Sequence, residues 1–323
     1  MKLLWLDLNS SYAHSSLALP ALHAQIADDT TIEWCIVSAT INENTGMVVS
    51  RIHKHRPDII AATNWLFNHE QLLHIISRAK ALLPHCCIVL GGPEFLGNNE
   101  AFLYKNKFVS GVFRGEGEEV FPQWLKVWNH SKETWKSITG LCYLDENGRY
   151  QDNGIARVMN FSQLVSPEKS CFFNWSKPFV QLETTRGCFN TCAFCVSGGE
   201  KPVRTIPLEA IRERLNDIHQ HGIKNVRVLD RTFNYNNKRA KELLDLFRQY
   251  PDICFHLEIH PALLSEELKQ ELSVLPKGLL HLEAGIQSLK ESVLQQSHRI
   301  GKLSDALEGL KYLLLTKEYG NAC

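Results

Sequence analysis

Three cysteines stand at the spacing CxxxCxxC, within Thr184-Thr185-Arg186-Gly187-Cys188-Phe189-Asn190-Thr191-Cys192-Ala193-Phe194-Cys195. Thiolates are the soft ligands iron prefers, and three on one short loop reach three corners of a four-iron four-sulfur cubane. The fourth iron is then left without a protein ligand. Such an iron can chelate the amino and carboxylate groups of the methionine part of S-adenosylmethionine. An electron from the cluster then splits a carbon–sulfur bond and yields a 5'-deoxyadenosyl radical. Cys188, Cys192 and Cys195 are therefore the expected metal ligands, and no side chain is assigned a catalytic role. Tetrahedral zinc is the competing reading, but it needs a fourth ligand and the nearby sequence offers no adjacent Cys or His. The remaining cysteines, Cys35, Cys86, Cys87, Cys142, Cys171, Cys254 and Cys323, are scattered, several in apolar runs where the residue behaves as a small hydrophobe.

A second group of residues falls just after apolar runs: Asn9-Ser10-Ser11, Thr63-Asn64-Trp65, Gly91-Gly92-Pro93-Glu94 and Arg114-Gly115-Glu116-Gly117-Glu118. Glycine lets backbone approach a ligand closely, and amides that open a following helix can bind polar ligand groups. Each loop taken singly also reads as a tight turn. A third group follows the same rule further on: Asp230-Arg231-Thr232-Phe233-Asn234, then Glu258 and His260, then Glu283, Gln287 and Ser288.

What must position these residues is an alternation of short apolar runs with helical patterns, the signature of βαβ units. Strands are predicted over 3–8, 32–37, 59–63, 88–90 and 109–113, with helices over 16–26, 47–55, 71–83 and 118–128. Five strands so joined make a doubly wound, Rossmann-like sheet whose ligand crevice lies beyond the strands' carboxyl ends. That is where the polar loops fall. Residues 131–176 read as a connector, with Asp145-Glu146-Asn147-Gly148 as a hairpin turn. A second series then has strands over 179–183, 226–229, 255–259 and 279–283 and helices over 208–221, 238–249 and 265–275. It reads as a partial barrel of β/α units with chemistry at the strands' carboxyl ends. The expected domains are 1–130, the connector 131–176, and 177–323.

Composition bounds the rest. A chain of 323 residues with 44% hydrophobic and 22% charged content has cores to bury. Acidic and basic residues balance at 35 each, so no net field indicates nucleic acid or an anionic membrane surface. The opening apolar stretch is interrupted by Asp7, too early for a secretory signal or a span, and the reading is cytoplasmic.

The cysteine motif, with an aromatic residue before its last cysteine, resembles that of the radical S-adenosylmethionine (SAM) superfamily. Leu90-Gly91-Gly92-Pro93-Glu94 and Arg114-Gly115-Glu116-Gly117-Glu118 resemble the subfamily with a cobalamin-binding domain ahead of the radical domain. The resemblance implies a radical SAM enzyme using a 4Fe-4S cluster, SAM and cobalamin, with methyl transfer to an unidentified substrate as its outcome. It also implies an electron donor such as a flavodoxin or ferredoxin. It assigns cofactor contacts to Asn9, Ser10, Ser11, Thr63, Asn64, Gly91, Gly92, Pro93, Gly115 and Glu116. The segment Asp230-Arg231-Thr232 resembles one that lies beside the methionine moiety, and Glu258, Glu283 and Gln287 join it as SAM contacts. Ser197-Gly198-Gly199-Glu200 looks like the superfamily's GGE element but sits on the cluster loop, and it is discounted.

Two departures stand out. The Asp-x-His-x-x-Gly motif that supplies a lower axial histidine is absent, since Asp7 is followed by Leu8 and Asn9 and His14 lies too far on. His14 reads as an ordinary helix-entry residue, and cobalamin is expected to bind without histidine ligation. The family's barrel has six β/α units, whereas this chain is expected to be truncated after about four, following a helical stretch over 305–319. An incomplete barrel would favour association through its open edge. Two alternatives are a non-catalytic or partner-dependent cobalamin and iron-sulfur module, and a nucleotide-binding oxidoreductase. Neither Gly91-Gly92 nor Gly115-x-Gly117 completes the GxGxxG spacing that the latter needs.

Overall fold

The alternation of buried side chains along the first strand sets the plan of the amino-terminal unit. In a computed structural model describing residues 1–11, 16–197 and 200–315, strand β1 (Lys2–Asn9) is buried on both faces. Successive side chains point to opposite faces, so each strand feeds two cores. Leu4, Leu6 and Leu8 join one core, with side chains of helices α2 (Thr45–His55) and α3 (His69–Leu82). Leu3 and Trp5 join the other, with α1 (Ala18–Ala24) and α5 (Val120–Leu125). Helices on both faces make the sheet doubly wound, as the sequence predicts.

The other parallel strands are β2 (Glu33–Thr40), β3 (Ile59–Thr63), β4 (Cys87–Gly91) and β5 (Gly111–Phe113). The spatial order is β2-β1-β3-β4-β5, so the direction of winding reverses between β1 and β3. Ligand crevices of such sheets open at that reversal, beyond the carboxyl ends. A short helix, α4 (Glu100–Lys105), precedes β5.

The hairpin expected at Asp145–Gly148 forms, because the Asp145 carboxylate accepts from the Asn147 amide at 2.9 Å and the Arg149 amide at 2.8 Å. Its strands, β6 (Leu141–Leu144) and β7 (Tyr150–Asp152), do not stand apart as part of a connector. They add antiparallel to β5 and make a mixed seven-stranded sheet. Residues 156–170 then run back as a strap over the same unit. Gln25 holds it by paired contacts with Val165, at 2.8 and 3.1 Å. His23 Nδ1 lies 2.9 Å from Ser170 Oγ. The chain divides into compact units at Phe173 and Asn174.

In the second unit β8 (Val180–Leu182) leads into a two-stranded ribbon of β9 (Thr185–Arg186) and β10 (Arg204–Thr205). The order continues α6 (Leu208–Gln220), β11 (Asn225–Val228), α7 (Asn237–Phe247), β12 (Cys254–Ile259), α8 (Glu266–Ser273), β13 (Leu280–Ala284), α9 (Glu291–Gln296) and α10 (Leu303–Leu315). Strands β8, β11, β12 and β13 pair in parallel and in sequential spatial order. Phe255, Leu257 and Ile259 of β12 are buried on one face, where Phe247 of α7 stacks on Phe255 at 4.1 Å. His256 and Glu258 occupy the opposite face. Among the described residues no helix is long and apolar enough to cross a membrane.

Candidate functional site

In the first unit the reversal point is held open by a residue that sequence reasoning passed over. Asn68 occupies the N-cap of α3, where an asparagine side chain ordinarily accepts from the helix's own first amides. It makes no such bond. Instead its Nδ2 donates to Leu8 O at 2.9 Å and Thr63 O at 3.1 Å, and its Oδ1 accepts from the Trp65 amide at 2.8 Å. One buried amide therefore ties the carboxyl ends of β1 and β3. An asparagine three residues beyond Thr63-Asn64-Trp65 and at the head of a helix is the signal that could have found it.

The expected residues gather around this clamp. Asn9 is buried, with Nδ2 2.7 Å from Asp7 Oδ2, while Ser10 and Ser11 are exposed. Thr63 is half-buried and Asn64 wholly buried. Asn64 Nδ2 lies 3.0 Å from His69 Nδ1, but its Oδ1 has no hydrogen-bond partner. An unpaired buried acceptor is costly, about 1–3 kcal/mol, so its place beside a ligand crevice matters. Gly91, Gly92 and Pro93 end β4 half-buried. Gly92 has φ +110° and a Cβ there would lie 2.6 Å from Asn64 O, so only glycine fits against the β3 loop. Trp65 stacks on Phe67 at 6.3 Å, and Leu66 between them is 83% exposed. Gly115 and Glu116 face the strap: Gly115 bridges Ala156, and a Glu116 carboxylate oxygen accepts from the Val158 amide at 2.6 Å. His14 lies outside the described residues.

A flat macrocycle with amide arms fits this edge. The Trp65–Phe67 surface offers an apolar face, Asn64 Oδ1 an acceptor for an amide donor, and the glycine-lined end of β4 a close backbone approach. Cobalamin has these features.

In the second unit the cysteine loop is an excursion closed at its neck. The β9–β10 ribbon pairs Arg186 with Arg204, and the Cys188 amide donates to Glu200 O at 2.9 Å. Gly187 has φ +98°, and a Cβ there would stand 2.5 Å from Glu200 O. Further along, Ala193 N donates to Ser297 O at 3.0 Å and Ile300 N to Asn190 Oδ1 at 3.0 Å, which fastens the loop to the region after α9. Cys188 and Cys192 are buried and Cys195 is exposed. Burial chiefly pushes the Cys188 thiol up. The Asn190 amide and Arg231 act against that, while Cys195 and Cys192 add to it. Among the described residues no three His, Cys, Asp or Glu side chains converge on a single ion. A cubane does not ask for that, because it spreads its cysteines over separate irons. Gly198 and Gly199 of the discounted GGE-like element, like Cys323, lie outside the described residues.

Asp230 ends β11 almost fully buried, and its carboxylate is taken up by the loop. Oδ1 accepts from the Thr184 amide at 2.8 Å and the Thr185 amide at 2.9 Å, and Oδ2 from the Thr184 hydroxyl. Burial raises its pKa, with those hydrogen bonds opposing. Asn234 makes the next clamp, donating to His260 O at 3.0 Å and accepting from His260 N at 2.8 Å. Arg231 is exposed and Thr232 half-buried. Burial pushes Glu183 up, but Arg186, Arg214 and Arg231 outweigh it and hold its carboxyl below the ordinary range. Glu258 and Glu283 sit side by side in register across β12 and β13, with Arg227 at 3.5 and 3.7 Å. Gln287 is exposed with φ +74°.

Comparisons with known proteins fall on the same two units. Residues 8–125 match the B12 binding domain and residues 182–315 the radical SAM superfamily. An uncharacterized methyltransferase of Pyrococcus horikoshii is 29% identical over 280 residues, which is 83% of this chain and 59% of that protein. The cobalamin-dependent SAM radical enzyme OxsB, solved with aqua-cobalamin bound, superposes with a TM-score of 0.79 at 16% identity, over 98% of this chain and 48% of its own. The radical SAM methyltransferase TsrM from Kitasatospora setae, solved with a tryptophan substrate and a SAM analogue, gives 0.74 at 15% identity, over 98% and 66%. The chain thus spans roughly half to two thirds of the length of these proteins.

Proposed function

The chain carries a radical SAM domain behind a B12-binding domain, and from that premise we propose that it works as a cobalamin-dependent radical SAM methyltransferase on an unidentified substrate. The observation that carries this reading is the cysteine loop, closed at its neck by β9 and β10 and set at the carboxyl end of a parallel strand. Cys188, Cys192 and Cys195 would hold the 4Fe-4S cluster. When bound, the cluster supplies the electron for reductive cleavage of SAM to a 5'-deoxyadenosyl radical, and cobalamin supplies the carrier for a methyl group.

The chain's own residues bind and orient. Asn9, Ser10, Ser11, Thr63, Asn64, Gly91, Gly92 and Pro93 would meet the corrinoid at the crevice that Asn68 braces. Arg231, Thr232, Glu258, Glu283 and Gln287 would meet SAM, with the carboxylates accepting from its hydroxyl or ammonium groups. Gly115, Glu116 and Asp230 act one step back, since their contacts fix the strap and the cluster loop. We read β8, β11, β12 and β13 as the first four units of a partial barrel. A cytoplasmic setting and an electron donor of the flavodoxin or ferredoxin kind belong to the same reading.

The test is anaerobic reconstitution with iron and sulfide, then incubation with SAM, dithionite and hydroxocobalamin. The expected result is a visible iron-sulfur chromophore, bound corrinoid and 5'-deoxyadenosine. Cluster and corrinoid without any cleavage of SAM would sink the catalytic part. Retention of the full chromophore after all three cysteines are changed to Ala would sink the site.

A further inference from the structure

The face of the second sheet opposite α7 carries Arg227, His256 and His281, a polar row that neither the cysteine motif nor the strand-end loops account for. Arg227 of β11 pairs in register with His256 of β12, and His256 with His281 of β13. One step nearer the carboxyl ends, Glu258 pairs with Glu283. His256 is the hub. Its Nδ1 lies 3.2 Å from His281 Nδ1 and its Nε2 3.0 Å from Glu283 Oε2.

These distances fix where the hydrogens go. A carboxylate only accepts, so His256 Nε2 must carry a hydrogen toward Glu283. When His256 carries its one hydrogen there, its Nδ1 is bare and a hydrogen on His281 Nδ1 makes the second contact a bond. The chain therefore runs one way, from His281 through His256 to Glu283. Arg227 stands between Glu283 and Glu258, 3.7 Å from the first and 3.5 Å from the second.

We propose that His256 and His281 are positioning residues for Glu283, fixing the direction of its carboxylate so that its remaining lone pairs are offered to the hydroxyl or ammonium groups of SAM. This rests on the reading that the strand ends of the second unit hold SAM. Neither histidine touches the cofactor. Each acts through the next group, as outer hydrogen-bond partners do when they orient a ligating side chain.

The experiment uses the full chain, reconstituted with its cluster, and measures SAM affinity by equilibrium dialysis. His256→Leu is expected to weaken SAM binding about 10-fold, the scale of one charge-assisted hydrogen bond. His256→Gln, whose amide can still donate to Glu283, should recover most of that loss. On a Glu283→Gln background His256→Leu should add nothing, because coupled residues are not additive. Nitrogen-15 imidazole spectra of the wild-type chain should show His256 with hydrogen on Nε2 and His281 with hydrogen on Nδ1. The proposal is overturned if those tautomers are reversed, if His256→Leu leaves SAM affinity intact, or if its effect adds in full to that of Glu283→Gln. A wild-type chain that holds its cluster yet binds no SAM would overturn the underlying reading and this one with it.

Discussion

At the scale of single residues, the two units share a device: a buried amide or carboxylate just past a strand ties neighbouring carboxyl ends together. Asn68 does this for β1 and β3, Asp230 for β8 and β11, and Asn234 for β11 and β12. Replacing Asn68 by Ala removes two donated bonds and one accepted bond in a buried place, leaving carbonyls and an amide unpaired. The expected cost is about 2–4 kcal/mol of stability, from a penalty near 1–3 kcal/mol for each buried group left unsatisfied. Urea unfolding measures it, and a loss below about 1 kcal/mol would mean that water replaces the clamp. The same variant should bind hydroxocobalamin more weakly. Cysteine spacing made the candidate metal ligands legible as a group because all three lie on one short loop. The clamps were not legible, because Asp230 meets Thr184 across 46 positions of chain and nothing local announces the pairing.

At the scale of elements, the cluster loop depends on its neck. Gly187→Ala would set a methyl group 2.5 Å from Glu200 O and 2.9 Å from Pro202 O, at a φ that L side chains rarely adopt. The neck must open, so iron and sulfide incorporated per chain should fall severalfold while far-ultraviolet circular dichroism stays unchanged. Full incorporation would show that the neck does not set the cysteines. The strap invites a similar test. Gln25→Leu removes both contacts with Val165, and limited proteolysis within 156–170 should speed up while the sheet stays intact. The long, strongly alternating strands were foreseen within a few residues, with β2 running on to Thr40. Those fixed by partners were not. The two-residue strands β9 and β10 have no periodicity of their own, and α4 spans too few turns to show one. The hairpin turn was legible from Asp145 and Gly148, whereas the place of β6 and β7 against β5 was a tertiary choice.

At the scale of the whole molecule, each unit buries a histidine among its described residues, and burial makes that histidine harder to protonate. His23 is buried edge-on to Trp34 at 5.2 Å and Phe172 at 4.6 Å, and burial lowers its pKa from 6.5. His260 is more extreme. Burial first and then the charge of Arg299 lower it from 6.5 to about 4, with the Ile300 backbone opposing. In the unfolded chain both would take up a proton near pH 6.5, whereas in the folded chain both do so at lower pH, His260 only at about pH 4. The unfolded state therefore binds more protons in that window, and stability falls as pH falls. It is fully present above pH 6.5 and is lost down to about pH 4, where folded His260 begins to protonate and the loss levels off. For His260 alone the loss is about 2 kcal/mol between pH 7 and pH 5. The second unit should thus unfold at lower urea at pH 5 than at pH 7, and His260→Phe should flatten most of that slope. If His260→Phe leaves the slope unchanged, the acid sensitivity lies with other groups.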